Sequence, residues 1–329
     1  MKKLDCTIQI DKYRFDSVTE IEINSDWEHL TDTCSITLPR NAKYLDDPTR
    51  FLAFGDDPLF RRGMAVKVLL GYDKSESKPL VKQFEGYIVA IGADVPTVFD
   101  CQDAMYQLKK KSVNISYPRV MLSKLLKDMI GDTVQYICTL DFQLGLFGAR
   151  NETPAQVLAR LKKDYFVRSF VRNGTLYVGL AIVPSLQNKQ EIRLRFGEEV
   201  IVQDTQLEYL VKDDVKINLV AKLITPNNKL KEFKFGDPDG EQRTVHFYDV
   251  PERDVETLAK KEIERYRYTG YRGNLTIFGE PSINHGDIVT IEDPVYSERT
   301  GNYVVKKVTK TFGMGGYRQI LELETRIFV

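Results

Sequence analysis

Apolar and polar residues alternate through the first hundred positions of the chain. Leu4 to Ile10, Val18 to Ile23, Cys34 to Leu38, Ala65 to Leu70, Phe84 to Ile91 and Val98 to Gln102 each follow a period of two and mix in β-branched side chains. Polar breaks separate them, the clearest running from Gly71 to Pro79. Such a succession predicts antiparallel strands forming a small barrel or sandwich.

The period changes near residue 105. Beyond Pro118, residues Met121, Leu122, Leu125, Leu126 and Met129 recur at helical spacing until Gly131 stops them. A second helix starts with Thr153 as N-cap and Pro154 in the first turn, and carries Val157, Leu158, Leu161 and Tyr165 as its apolar stripe. Asn173-Gly174 then lies between two strand-like runs. Both residues tolerate positive φ, so the pair predicts a two-residue hairpin. From about 201 the strands return: Val200 to Leu210, Val215 to Leu223, Leu230 to Phe235, Thr244 to Tyr248, Asn274 to Phe278, Ile288 to Ile291, Tyr303 to Val308 and Tyr317 to Ile327. One helix, from Pro251 to about Tyr268, interrupts them with Val255, Leu258, Ala259 and Ile263 on its apolar face. The expected fold is mainly β with α+β character. Two similar small β-barrels, 1–105 and 201–329, flank a mixed α/β middle domain at 106–200, and the second barrel has a helical insertion near 251–268.

The two ends of the chain echo each other. Arg62-Gly63-Met64-Ala65-Val66-Lys67-Val68 resembles His285-Gly286-Asp287-Ile288-Val289-Thr290-Ile291, each a Gly turn leading into an alternating strand. Glu85-Gly86-Tyr87-Ile88 then matches Thr300-Gly301-Asn302-Tyr303, and Val98 to Asp103 matches Ile320 to Glu324. This is the pattern of a duplicated barrel, one copy at each end.

Composition narrows the function without naming it. Lys plus Arg and Asp plus Glu both total 47 in 329 residues, so the net charge is zero and a strongly basic nucleic-acid binder is not expected. Apolar runs such as Leu180 to Val183 are far shorter than the ~20 residues that span a bilayer. The acidic and polar positions 5, 9 and 11 interrupt any signal-peptide core, and a cytoplasmic origin is expected. Cys6, Cys34, Cys101 and Cys138 have no CxxC spacing; Cys6 and Cys34 fall in the apolar phase of their strands, which predicts buried free thiols.

Candidate chemistry is sparse. His29, His246 and His285 are far apart, and none has a second metal ligand at helical spacing. His285 and Asp287 flank Gly286, but the echo makes this a structural turn. Asp237-Pro238-Asp239-Gly240-Glu241 has the carboxylate density of a Ca²⁺ loop without EF-hand spacing, and reads as a hairpin turn. Gly313-Met314-Gly315-Gly316 precedes a strand, so it reads as a hairpin tip and not a phosphate loop. Lys109-Lys110-Lys111, with Tyr106 and Tyr117, reads as a solvated linker before it reads as a phosphate contact. Trp27, beside Asp26 and His29, is a packing or interface residue whose alternative is a sugar-stacking platform. No catalytic, cofactor or metal residue is assigned, and interface residues cannot be named from the sequence.

Gly279-Glu280-Pro281 followed by His285-Gly286-Asp287-Ile288-Val289, then Gly301-Asn302-Tyr303-Val304-Val305 and the closing Tyr317-Arg318, resembles the C-terminal signature of contractile-tail baseplate hub proteins. These are the late control gene D family, with the Mu-like phage tail hub and the hub part of type VI secretion spike proteins. Asn151 to Leu158 with the Asn173-Gly174 hairpin is similar to that family's central domain, and Ser35 to Leu38, Arg62-Gly63 and Phe84 to Tyr87 to its opening barrel. The extended loop from Tyr72 to Pro79 departs from the pattern. The resemblance implies a virion tail or baseplate protein, assembled in the bacterial cytoplasm, with no enzymatic activity. It implies a homotrimer that adapts a sixfold tail tube to a threefold spike around a central channel. Its partners would be the tail tube protein, the central spike protein and other baseplate proteins, with no cofactor, specific nucleic-acid binding or membrane insertion. The alternatives are a carbohydrate- or receptor-binding tail module, or a hub with cell-wall hydrolase activity.

Overall fold

A computed structural model describes residues 3–38, 60–93, 96–186, 191–225, 229–248 and 250–327. The N-terminal strands are β1 (Leu4–Ile10), β2 (Tyr13–Phe15), β3 (Glu20–Asp26), β4 (Thr33–Leu38), β5 (Ala65–Tyr72), β6 (Val81–Ile91) and β7 (Thr97–Gln102). They pair in the order β3-β4-β7-β6-β5-β1-β2, all antiparallel. Alternation sends Ile8, Ile21, Ile36, Val68, Ile88 and Phe99 inward to one core.

The middle unit holds β8 (Val113–Tyr117), β9 (Val120–Met121), α1 (Leu122–Ile130), β10 (Tyr136–Cys138), β11 (Gln143–Leu144), β12 (Phe147–Glu152), α2 (Pro154–Tyr165), β13 (Arg168–Arg172) and β14 (Thr175–Gly179). The capping reading of α2 holds: Gln156 N donates to Thr153 Oγ1 and Thr153 N to Gln156 Oε1, so two backbone donors at the helix start are satisfied. Asn173 and Gly174 both have positive φ and join β13 to β14. Leu125, Leu126, Leu158, Leu161 and Leu176 form this unit's own core.

The C-terminal part contains β15 (Ile192–Arg195), β16 (Gln206–Leu210), β17 (Ile217–Ile224), β18 (Leu230–Gly236), β19 (Glu241–Tyr248), α3 (Glu252–Tyr266), β20 (Gly270–Phe278), β21 (Ile288–Glu292), β22 (Gly301–Gly313) and β23 (Gly316–Ile327). Six of these strands run β16-β20-β23-β22-β21-β15. Val200 bridges Phe196 on one side and Ile277 on the other, which closes this sheet on itself around Leu275, Val289, Val305 and Leu321.

The insertion is larger than a helix. Strands β18-β17-β19 form a separate sheet, and α3 lays Val255, Ala259 and Ile263 on it to make another core. The expected turn at 237–240 is also not a hairpin. β18 pairs antiparallel and β19 parallel to the same central strand, so the connection crosses the end of β17. Gly236, at φ 90°, and Gly240 allow this close passage, since a Cβ on either would lie within 2.6 Å of the Ile217 backbone. The asserted strand from Val200 is likewise shorter, because a 3₁₀ turn occupies Val202–Asp204.

The two curled sheets are copies. The orders β3-β4-β7-β6-β5-β1 and β16-β20-β23-β22-β21-β15 match in sequence order, and they differ in direction only at the end, where β1 is antiparallel to β5 but β15 is parallel to β21. Gly63 and Gly286 have φ of 90° and 86°, and their amides donate to Ile88 and Val305 carbonyls at 2.7 Å in each case. A bulge follows in both, between Ile88 and Ala90 and between Val305 and Lys307. The registers correct one step of the echo. Gly86 faces Val66 where Tyr303 faces Val289, so Gly86 corresponds to Tyr303 and not to Gly301.

The copies are joined edge to edge. β22 continues past its partner β21 and pairs with β3 over seven residue pairs, from Lys307–Asp26 to Gly313–Glu20. Along the inner face of β22, Val308 belongs to the second core and Phe312 to the first, with Lys310 between them.

Candidate functional site

Two features of this architecture could carry function: a buried polar junction where three units meet, and the outer face of the joined sheet. The junction lies under the β3–β22 seam. Lys310, which alternation forces inward between the two cores, is 4% exposed and donates to Gln83 Oε1 at 2.6 Å and Ser282 Oγ at 3.1 Å. Gln319 beside it on β23 holds the chain that enters the second barrel: its Nε2 donates to the Phe278 and Pro281 carbonyls and its Oε1 accepts from Ile283 N. Arg172, at the tip of the β13–β14 hairpin, donates to the His285 carbonyl at 2.6 Å. The middle unit therefore holds the Gly286 turn of the second barrel. A cavity lined by Asp32, Gln83, Asp103, Arg172, Ser282 and Lys310 runs through the junction.

Charges here are strongly perturbed. Burial pushes the Lys310 ammonium down to about 7, with the Arg172 guanidinium adding to the effect. Burial also lifts the Asp103 carboxyl to about 7. Asp32 is raised as well, first by desolvation and then by Asp103. Asp103 is nonetheless a clasp: its Oδ2 accepts from Asp32 N and its Oδ1 from Met105 N, tying β4 to the start of the middle unit. Such values in a cleft often mark catalysis, but here the groups are locked by backbone and amide partners among three packed units.

The candidates from the sequence fall in separate places. Trp27 is 4% exposed and packs with Phe170, Tyr177, Val183 and Val304, so it is a joint between units and not a sugar platform. His285 is 2% exposed, edge-on to Trp27 and Phe170, with neither ring nitrogen hydrogen-bonded. Burial, then Arg172, depresses it to about 3. Asp287 does not pair with it; its Oδ2 accepts from Asn284 N within the turn. His29 is exposed, with Nδ1 2.7 Å from Asp26 Oδ2. His246 stacks on Phe166 and ties the inserted sheet to the middle unit.

Asp237 pairs with Arg267 and Asp239 with Lys216, so these carboxylates brace the crossing. Lys109-Lys110-Lys111 is not a free linker. Lys109 Nζ donates to Thr31 Oγ1 and Gln102 Oε1, and Lys110 lies over the Tyr87 and Tyr106 rings. Tyr117 donates to Asp128 Oδ2. Gly313 to Gly316 is a hairpin tip with Met314 fully exposed. Cys6, Cys34 and Cys101 are buried free thiols; burial lifts Cys6 to about 11 and Cys101 to about 12, which keeps both protonated. Cys138 is free and half-buried. Among the described residues no helix is long and apolar enough to cross a membrane, and no group of three His, Cys, Asp or Glu is placed to hold a metal ion.

The second feature could not be read in the sequence. Across the seam, Thr309 faces Asn24 and Thr311 faces Glu22, and the rows continue to Ser35 and Asp100 on the first copy. Thr309 Oγ1 donates to Asn24 Oδ1 at 2.8 Å, and Asn24 Nδ2 to Glu22 Oε1 at 2.7 Å. The side away from both cores is thus polar across the seam and the first copy, while on the second copy Thr309 is followed by the exposed Ile320, and Thr311 by Arg318 lying over Phe278. Only the strand pairing, set by long-range contacts, reveals it.

No family model and no curated protein matches this chain by sequence. Solved structures match along nearly its whole length. A tail protein from Neisseria meningitidis aligns with a TM-score of 0.64 at 13% identity, over 99% of this chain and 97% of that one. The 43 kDa tail protein of prophage MuSo2 from Shewanella oneidensis gives 0.62 at 15% identity, over 97% and 96%. An Escherichia coli component of the type VI secretion system, described as structurally similar to T4 bacteriophage tail proteins, gives 0.55 at 9% identity, over 98% of this chain and 76% of that one. The chain, mainly β with two copies of one curled sheet, has the fold of these phage tail and type VI secretion proteins, as the resemblance in its sequence implied.

Proposed function

We propose that this protein is a structural baseplate hub of a phage tail or a phage-like contractile injection machine. The observation that carries the reading is the duplication: two copies of one curled sheet, joined by the β3–β22 seam, present two similar positions per chain. Three such chains around one axis offer six similar sheets, which fit a sixfold tube on one face and a threefold spike on the other. The outer face of the joined sheet, polar over Glu22, Asn24, Ser35, Asp100, Thr309 and Thr311, is the channel wall in this arrangement. A tail tube protein, a central spike protein and other baseplate proteins are its partners, in the virion tail after assembly in the host cytoplasm. The role is non-enzymatic: the perturbed groups Lys310, Asp103 and His285 serve packing between units, and Trp27 is closed to a glycan. Imaging of the purified protein at high concentration, and of the particle that carries it, tests the reading. Threefold rings with six lobes are expected. A chain that stays monomeric in both settings overturns it.

A further inference from the structure

The first sheet carries two cysteines directly across from one another. Register places Cys34 on β4 opposite Cys101 on β7, and directly opposed residues send their side chains to the same face. That face is the core, where each is 1% exposed. Two residues farther along, Asp103 N donates to the Asp32 carbonyl at 3.1 Å, so alternation makes Cys34–Cys101 a hydrogen-bonded pair as well. The Cα atoms of such a pair stand about 5.5 Å apart, at the common spacing of disulfide-bonded cysteines.

Packing alone does not call for sulfur here. The row runs Ile23–Cys34–Cys101–Ile88 across β3, β4, β7 and β6. Its counterpart in the second copy runs Leu207–Gly273–Leu323–Val305 across β16, β20, β23 and β22. The same sheet thus closes with glycine and leucine at the two positions the thiols hold. The other cysteines have no thiol across the ladder: Cys6 faces Leu70, and Cys138 faces Val178.

We propose that Cys34 and Cys101 are a reversible redox pair that forms a cross-strand disulfide, stapling β4 to β7 inside the first sheet. The oxidant is a low-molecular-weight disulfide such as oxidised glutathione. A thiolate of the pair attacks it, forming a mixed disulfide and expelling one glutathione thiolate. The second thiolate then attacks the protein sulfur of that mixed disulfide and expels the other. The protein loses two protons and two electrons, and two glutathione thiols receive them. Burial raises both protein thiols, so the exchange runs through transient opening of the β4–β7 pair and is slow in the closed sheet. The reduced pair therefore persists in a reducing cytoplasm, and the staple closes in oxidising surroundings. A baseplate hub, in the reading above, meets both, first during assembly and then after release; the sulfur chemistry itself stands apart from that reading.

Incubation of the purified chain with oxidised glutathione, with and without urea below the unfolding transition, tests this. Thiols titrated after unfolding should fall from four to two, and a peptide map should link residues 34 and 101 within one chain, faster in urea. Dithiothreitol should restore all four. The double variant Cys6→Ser with Cys138→Ser should lose both of its remaining thiols; the map of the unmodified chain decides the matter if that variant does not fold. The bridged chain should unfold with an equilibrium constant roughly 30-fold smaller, read as a higher urea midpoint, because its unfolded state contains a closed loop. Four thiols retained under both conditions, or stable glutathione adducts at 34 or 101 with no link between them, overturn the pair. A bridge that lowers the urea midpoint overturns its fit to the folded sheet. None of these results bears on ring formation, so the hub reading stands or falls by its own imaging.

Discussion

The sharpest energetic prediction concerns His285, an imidazole sealed between Trp27 and Phe170 with no partner for either nitrogen. The groups acting on it are Arg172 from β13, Asp26 from β3 and Lys310 from β22; two are cations, and burial is the largest cause of its depression to about 3. In the unfolded chain the ring titrates at its ordinary 6.5. Between these values the unfolded state binds a proton that the folded state refuses. The stability held above pH 6.5 is therefore lost as pH falls toward 3. One pH unit corresponds to about 1.4 kcal/mol per proton, so lowering the pH from 7 to 5 costs about 2 kcal/mol through this residue. Asp103, raised by burial to about 7, acts in the opposite direction, because its folded form takes up a proton that the unfolded form does not. Total stability against pH thus mixes cancelling contributions, and a comparison of variants isolates one. His285→Phe keeps an aromatic ring of similar size edge-on to the same neighbours and removes the titration. Urea unfolding at pH 7 and pH 5 should show the variant gaining about 2 kcal/mol relative to the parent over that interval. Parallel pH dependences in the two proteins would mean that the ring is protonated inside the fold, and would refute the sealed junction.

Trp27→Ala should cost about 3–5 kcal/mol in urea unfolding, the range for a large aromatic removed from a well-packed site; a loss below about 1 kcal/mol would place the ring at the surface. Lys310→Met should show the reverse pH signature to most surface lysines. Because burial lowers the folded pKa to about 7, the parent gains about 2 kcal/mol relative to the variant between pH 7 and pH 9, and equal slopes would show the ammonium to be solvated.

Much of the local structure was legible in the sequence, and for identifiable reasons. Period-two runs gave nearly every strand of the first sheet. Thr153-Pro154 and Asn173-Gly174 set a helix start and a hairpin through backbone preferences of the residues themselves. The Gly63 and Gly286 turns could be matched because both need positive φ. The echo slipped by two residues at Gly86, since a glycine in a strand can stand where its counterpart is Tyr303; what the duplicates share there is a bulge, which has no residue signature. Lys109 to Lys111 were misleading for a related reason, whereas the packing reading of Trp27 held. A basic run or a tryptophan has the same local pattern whether it faces water or clamps a neighbouring unit.

The chain's own pattern of side chains determined the strands, helices and turns, and showed that one folding unit occurs twice. Each of those depends on neighbours a few residues away or on a periodicity visible within one element. The partner of each strand edge was decided only in three dimensions. β22 meets β3 across nearly three hundred residues of sequence, and this pairing places Lys310 between two cores, seals His285 beside Trp27 and creates the polar outer face. Backbone hydrogen bonds are alike at every residue, so sequence alone cannot say which edge meets which. That choice belongs to the packing of the cores on either side.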